Sequence, residues 1–201
     1  MGSLVIGCVL LAWLAAAPVA AAATTAHEIV APKVLPASAW DHVKGTPGIV
    51  FGRTTPGIPD VQMICDVHCP YCARVYTQLV ERRPALRVRW VPIAYFKPDS
   101  DRVAAAILAA PDPRAALDRN YRAYDHAARR GGYGDASADV LKLDASHAAL
   151  KERWRGWGRF TPMVLVRAGD GTVLQAAGTS PAFLDPVLDR AGRSKQAYDA
   201  W

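Results

Sequence analysis

Four residues, Cys69-Pro70-Tyr71-Cys72, mark a seam where one periodicity gives way to another. Before them, Val61-Gln62-Met63-Ile64-Cys65 is a short apolar run broken by one polar residue, which suits a buried central strand. After them, Cys72, Val75, Tyr76, Leu79 and Val80 fall at i, i+3, i+4, i+7 and i+8, while Arg74, Thr77, Gln78, Glu81 and Arg82 take the opposite side. An amphipathic helix is therefore predicted, closing before Pro84. Leu86, Val88 and Trp90 then alternate with Arg87 and Arg89, and the pattern runs on through Val91, Ile93 and Tyr95 as a second strand. Strand, helix, strand in that order predicts a parallel pair.

The residues from Thr24 to Pro59 are rich in Pro, Gly and Thr and read as an extended lead-in with one short strand. Beyond the second strand, Ser100 is placed to cap a helix through Ala110, halted at Pro111. Another is predicted from about Arg114 to Arg130, with Leu117, Tyr121 and Tyr124 on one side and Gly131-Gly132 behind it. A third spans about Asp144 to Trp157, with Leu150, Trp154 and Trp157 inward. Pro162 to Val166 reads as a strand, Ala168 to Gly171 as a turn, and Thr172 to Ala177 as its antiparallel partner. A last helix opens near Ser180-Pro181, with Pro186 as a kink or a restart point. The fold class is α/β, one domain over residues 59–201, with a helical insertion at about 98–157 between the second and third core strands.

A Cys-x-x-Cys opening a helix puts its first sulfur at the N-terminus and its second one turn inside. Unpaired amides and the helix dipole favour a thiolate at the first position, lowering a pKa of ~8.5 to roughly 3.5–7.5. Cys69 is then an exposed nucleophile, and Cys72, on the apolar face, a shielded thiol that resolves a mixed disulfide on Cys69. Structural zinc sites share this spacing but need four ligands, and no second pair exists. Thr161-Pro162 directly precedes a strand, where Pro is tolerated. A cis bond there would turn the backbone toward the cysteines and leave amide and carbonyl groups free to hold an extended substrate segment.

At 201 residues and 51% hydrophobic, the chain is long enough for one good core. Its net charge of +6 comes from scattered Lys and Arg, with no basic run longer than Arg82-Arg83 or Arg129-Arg130, so no nucleic-acid surface is expected. The first 23 residues carry no charged side chain, are apolar from Leu4 to Ala17 and end in Ala21-Ala22-Ala23, which reads as a signal peptide cleaved after Ala23. An uncleaved anchor is the alternative. Either places the domain outside the cytoplasm, in the periplasm. Cys8 leaves with the signal, and Cys65, Cys69 and Cys72 remain within eight residues of one another. Such crowding suits chemistry rather than cross-linking.

Met63-Ile64-Cys65-Asp66-Val67-His68-Cys69-Pro70-Tyr71-Cys72 resembles the strand that leads through an Asp into Cys-Pro-Tyr-Cys in thioredoxin-like proteins of the bacterial Dsb system, in the DsbC/DsbG group. Lys97-Pro98-Asp99-Ser100, Ala104 to Ala109 and Asp112-Pro113 are similar to the opening of that group's helical insert, nearest to DsbG, and Phe160-Thr161-Pro162 to its Thr-cis-Pro loop. The resemblance covers about residues 60–192. It implies a thioredoxin-like fold and a thiol-disulfide oxidoreductase of reductase or isomerase type, with no cofactor. Cys69 attacks, Cys72 resolves, and Thr161, Pro162, Pro70 and Tyr71 meet substrate. Its implied partners are exported proteins with cysteines or disulfides, and a membrane-bound redox partner. Two departures stand out: only residues 24–58 precede the core where the group carries a dimerisation domain, so a monomer is expected, and Cys65 replaces a small residue without a thiol.

Other readings weigh against this one. Cys65-x3-Cys69-x-Tyr71-Cys72 has the spacing of radical SAM enzymes, but that barrel needs more chain and a reducing compartment. Cys65-x3-Cys69-Pro70 resembles Sco-type copper-delivery proteins, with His126 or His147 as the distant ligand. Cys65 otherwise reads as a buried strand thiol or as a third redox residue, and His68 as an exposed turn residue or a charge that aids Cys69. Asp66 reads as a proton relay to Cys72 or a turn residue.

Overall fold

The computed structural model describes Gly2 and residues 31–52, 60–134 and 141–191. The signal segment, its cleavage point after Ala23 and Cys8 lie outside the described residues. Among the described residues no helix is long and apolar enough to cross a membrane.

The elements follow in the order β1 (Lys33–Leu35), α1 (Ser38–Lys44), β2 (Ile49–Gly52), β3 (Val61–Cys65), α2 (Pro70–Arg82), β4 (Arg87–Pro92), α3 (Ser100–Ala109), α4 (Pro113–Arg122), α5 (Ala145–Trp157), β5 (Met163–Arg167), β6 (Val173–Gln175) and α6 (Pro181–Leu188). They form one six-stranded sheet in the order β1-β6-β5-β3-β4-β2. β3 and β4 are parallel, as the strand-helix-strand order requires, and the other pairings are antiparallel. The helical insertion lies between β4 and β5, where it was expected.

Period-two alternation sorts the strand residues onto two faces. Val61, Met63, Cys65, Val88, Trp90, Val164, Val166 and Leu174 point into a core closed by the apolar sides of α2, α3, α4 and α6. Ile64, Val91, Ile93, Met163, Leu165 and Val173 point the other way, against Trp40 and Val43 of α1 and Leu150 and Trp154 of α5.

The structure departs from the sequence expectation in four places. Residues 31–52 are not an extended lead-in: they supply both edge strands and α1, because Leu35, Ala39, Trp40, Val43, Ile49 and Phe51 are spaced to reach the two cores. Arg89, whose guanidinium donates to the carbonyls of Val43 and Thr46 near the end of α1, is buried as a result, and burial lowers its pKa to about 10. The helix through Leu117 stops at Arg122 rather than Arg130; Asp125 and Arg130 close a tight turn by paired backbone bonds of 2.8 and 2.9 Å. β4 ends at Pro92, so Ile93 and Tyr95 lie beyond it. Ser100 is the first residue of α3 rather than its cap, its hydroxyl turned to Asp66. α6 is one helix with Pro186 inside it.

Candidate functional site

Cys69 is the N-cap of α2, with extended backbone, and Pro70 takes the first helical position, where a missing N–H costs nothing. Cys72 follows within the first turn, on the apolar face that also carries Val75, Tyr76 and Leu79. The Cys69 thiol donates to the Thr161 carbonyl at 3.5 Å, so the chain from 160 to 162 does face the pair, and the Thr161–Pro162 peptide bond is cis. Thr161 and Pro162 are buried, Pro70 is half-buried and Tyr71 is half-exposed, with the Arg74 guanidinium 5.8 Å from the centre of its ring.

The expected exposure of Cys69 is corrected. Its side chain is only 2% exposed, and Cys65 and Cys72 are fully buried; all three are free thiols. The expected lowering of the Cys69 pKa is corrected with it. A hydrogen bond shared with Cys72, and then burial, push the thiol up, while the Thr161 side chain and the Cys72 backbone amide pull it down. The helix-terminal amide is thus in place, but in the closed dithiol it is outweighed by dehydration and by the neighbouring sulfur. Burial likewise raises Cys72 and Cys65.

His68 is also buried, which overturns its exposed reading. Nδ1 accepts from the Gly131 amide at 3.1 Å and Nε2 faces an Asp99 carboxylate oxygen at 3.4 Å, with Arg130 paired to the other oxygen. Burial lowers the imidazole pKa and Asp99 partly restores it. A Cβ on Gly131 would lie 2.1 Å from Asn120 Oδ1, so a larger residue there would displace the Asn120 side chain that holds the turn.

Asp66 organises the turn between strand and helix. Its buried carboxylate accepts from the amides of His68 (2.8 Å), Tyr95 (2.8 Å) and Phe96 (2.9 Å) and from the Ser100 hydroxyl (2.9 Å). With four donors around it, the turn role outweighs that of a proton relay. The next three carbonyls are claimed one after another from the insert: Tyr121 donates to Asp66 O (3.2 Å), Asn120 to Val67 O (2.9 Å) and Tyr124 to His68 O (2.8 Å). Tyr95, 40% exposed, shares a 2.5 Å hydrogen bond with the Thr161 hydroxyl, and Trp154 donates to Phe160 O at 2.7 Å.

None of these supports was singled out in the sequence as a site residue. The available signal was the phenol tips of Tyr121 and Tyr124 on an otherwise apolar side, since a buried Tyr hydroxyl needs a partner. The distant copper ligands are not brought to the sulfurs: both His147 ring nitrogens are taken by Asp144 (2.8 Å) and Pro47 O (3.1 Å), and His126 packs on Tyr124. Among the described residues no three His, Cys, Asp or Glu side chains form a group that could hold a metal.

No family model and no curated protein matches this chain. Among solved structures it is similar to a disulfide interchange protein from Neisseria gonorrhoeae, at 17% identity and a TM-score of 0.50, covering 74% of this chain and 96% of that one. It is also similar to the catalytic domain of ScsC from Proteus mirabilis (19% identity, TM-score 0.49, 76% and 96% covered). A thioredoxin-like oxidoreductase from Silicibacter pomeroyi DSS-3 stands at 22% identity and a TM-score of 0.47, with 75% and 95% covered. At such identities the likeness speaks to the fold, which is α/β and thioredoxin-like.

Proposed function

We propose that this chain is an exported thiol-disulfide oxidoreductase that works in the periplasm through Cys69 and Cys72. The observation that carries the reading is the placement of the two thiols: one at the N-cap of α2 facing the Thr161 carbonyl at 3.5 Å, the other within the first turn behind it in the core. The Cys69 thiolate attacks a substrate disulfide, forms a mixed disulfide and expels the first substrate thiol. Cys72 then attacks the Cys69 sulfur, releases the second thiol and leaves a Cys69–Cys72 disulfide. Because the resting thiols are buried and protonated, Cys69 ionises as the substrate arrives. The chain around Thr161 and Pro162 and the exposed ring of Tyr71 receive an extended substrate segment, so Thr161, Pro162, Pro70 and Tyr71 line its path.

Within this class the reading is DsbC/DsbG-like, nearest to DsbG, of reductase or isomerase type. It is supported by the Asp66-to-Cys72 segment, the helical insert and the Thr161 carbonyl facing the Cys69 thiol. Its substrates are exported proteins with cysteines or disulfides, a membrane-bound redox partner resets it, and it acts as a monomer. The test is disulfide exchange with insulin and equilibration with glutathione. Cys69→Ser loses exchange, and Cys72→Ser accumulates a mixed disulfide on Cys69. A Cys69→Ser protein that exchanges at the wild-type rate refutes the assignment.

A further inference from the structure

Three sulfurs, not two, meet where β3 ends. Cys65 is the last residue of that strand and is fully buried. It points to the face of β3 that α2 covers, where its free thiol shares one buried core cluster with those of Cys69 and Cys72, and both Cys65 and Cys69 act on the pKa of Cys72. Cys72 thus has one neighbouring cysteine at the helix start and another at the strand end. The turn that sets this arrangement is firmly held: the Cys69 amide donates to Asp66 O at 3.1 Å, and the Asp66 carboxylate is fixed by four donors. Displacement at a disulfide sulfur requires a nucleophile beside that sulfur and a departing sulfur bonded to it. Once Cys72 is bonded to Cys69, Cys65 stands beside it as that nucleophile.

We propose that Cys65 is a second disulfide partner for Cys72. In the oxidised protein the Cys65 thiolate attacks the Cys72 sulfur, a Cys65–Cys72 bond forms, the Cys69–Cys72 bond breaks, and Cys69 leaves as a thiolate. The proton lost by Cys65 is balanced by one available to Cys69, and no outside oxidant or reductant is consumed. This step rests on the exchange function above and deepens it. With Cys72 tied to Cys65, a mixed disulfide on Cys69 has no resolving thiol within the protein. Only a thiol of the bound substrate can then release it, so the outcome is rearrangement of the substrate's own disulfides, with no net oxidation or reduction. Burial holds the Cys65 proton and slows the step, while the Tyr121 hydroxyl beside Cys65 works in the opposite sense.

The sequence supplies a direct readout, because Asp66 separates Cys65 from the other two cysteines. Cleavage on the N-terminal side of aspartates yields peptides 60–65 and 66–98. Full-length wild type and Cys69→Ser are oxidised with oxidised glutathione in the native state, quenched in acid, alkylated and cleaved. The expected result is a disulfide-linked pair of the two peptides as the main oxidised product of Cys69→Ser. The same pair, with Cys69 alkylated, is expected as a minor product of wild type and is lost in Cys65→Ser. Alkylated or glutathionylated Cys65 and Cys72 in Cys69→Ser, without the linked pair, overturn the proposal. Should that variant not fold, the wild-type digest decides: linked peptides support the second partner, and an internal Cys69–Cys72 disulfide alone overturns it. A wild type that forms no Cys69–Cys72 disulfide sinks the exchange function itself, a different result from either.

Discussion

Tyr95 and His68 both hold the candidate site through side-chain polar atoms, and each can be tested at its side chain. Tyr95 hydrogen-bonds the Thr161 hydroxyl at 2.5 Å, and the Thr161 side chain in turn favours the anionic forms of Cys69 and Cys72. Tyr95→Phe removes one link of that chain, an effect of about 0.5–1.5 kcal/mol. Ionisation of Cys69 loses that support, so its rate of disulfide exchange with glutathione is expected to fall roughly 2- to 12-fold while the thermal midpoint moves little. His68 is buried with its pKa below the ordinary 6.5. Below that pH the unfolded chain takes up a proton that the folded chain refuses, so stability falls as pH drops through 6.5. Denaturant midpoints measured across this range should decline more steeply for wild type than for His68→Gln. Equal slopes would remove His68 from the pH response. The two cysteines were legible because their spacing and the helix period coincide. The supports were not, because Tyr95 lies 26 residues beyond Cys69 and is brought to Thr161 only by the way β4 hands over to the insert.

Elements whose residues repeat with one clear period were recognised, though α4 and β4 end earlier than their periods suggested, and those defined by distant partners were not. β3 and α2 belong to the first kind. α1 belongs to the second: its seven residues carry only three buried side chains, and the sheet face that receives them is built from strands far along the chain. α5 shows a start signal that sequence does reveal, since Asp144 accepts from the amides of Ser146 (2.9 Å) and His147 (3.2 Å) as its N-cap. The Ser146 hydroxyl, above all, holds the Asp144 carboxyl at about 2, below its ordinary 3.8. Asp144→Ala should cost about 1 kcal/mol near neutrality. A carboxyl with a lowered folded pKa contributes its full share above 3.8 and loses it as pH falls toward about 2, so the gap between variant and wild type should close over that window. Urea titrations at several pH values measure it; a gap that stays constant would mean that the cap works without its charge.

At the scale of the whole molecule, one sheet separates two cores and shares every long strand between them. Met63 and Ile64 are adjacent in β3 yet lie in different cores, as do Trp90 and Val91 in β4. Neither side can loosen without disturbing backbone that the other packs on, so both should melt together. Trp90 and Trp154 are buried on opposite faces, and single-Trp variants that keep one or the other should give coincident denaturant transitions. Separate midpoints would show the faces to be independent units. This division was only half visible in the sequence: the alternation in the strands announced two faces, but the segment that contributes to both cores read as an extended lead-in with one short strand.

The row of carbonyls from Asp66 to His68 carries a consequence for how such a protein could be shortened or rebuilt. Each is met by a side chain at position 120, 121 or 124, so the inserted helices work as a splint on the hinge that bears the sulfurs. Trimming the chain back to its sheet and flanking helices would strip three donors from a desolvated bend at one stroke. A miniaturised or grafted version would keep its reactive thiols in register only if water, or a replacement loop, took over all three posts.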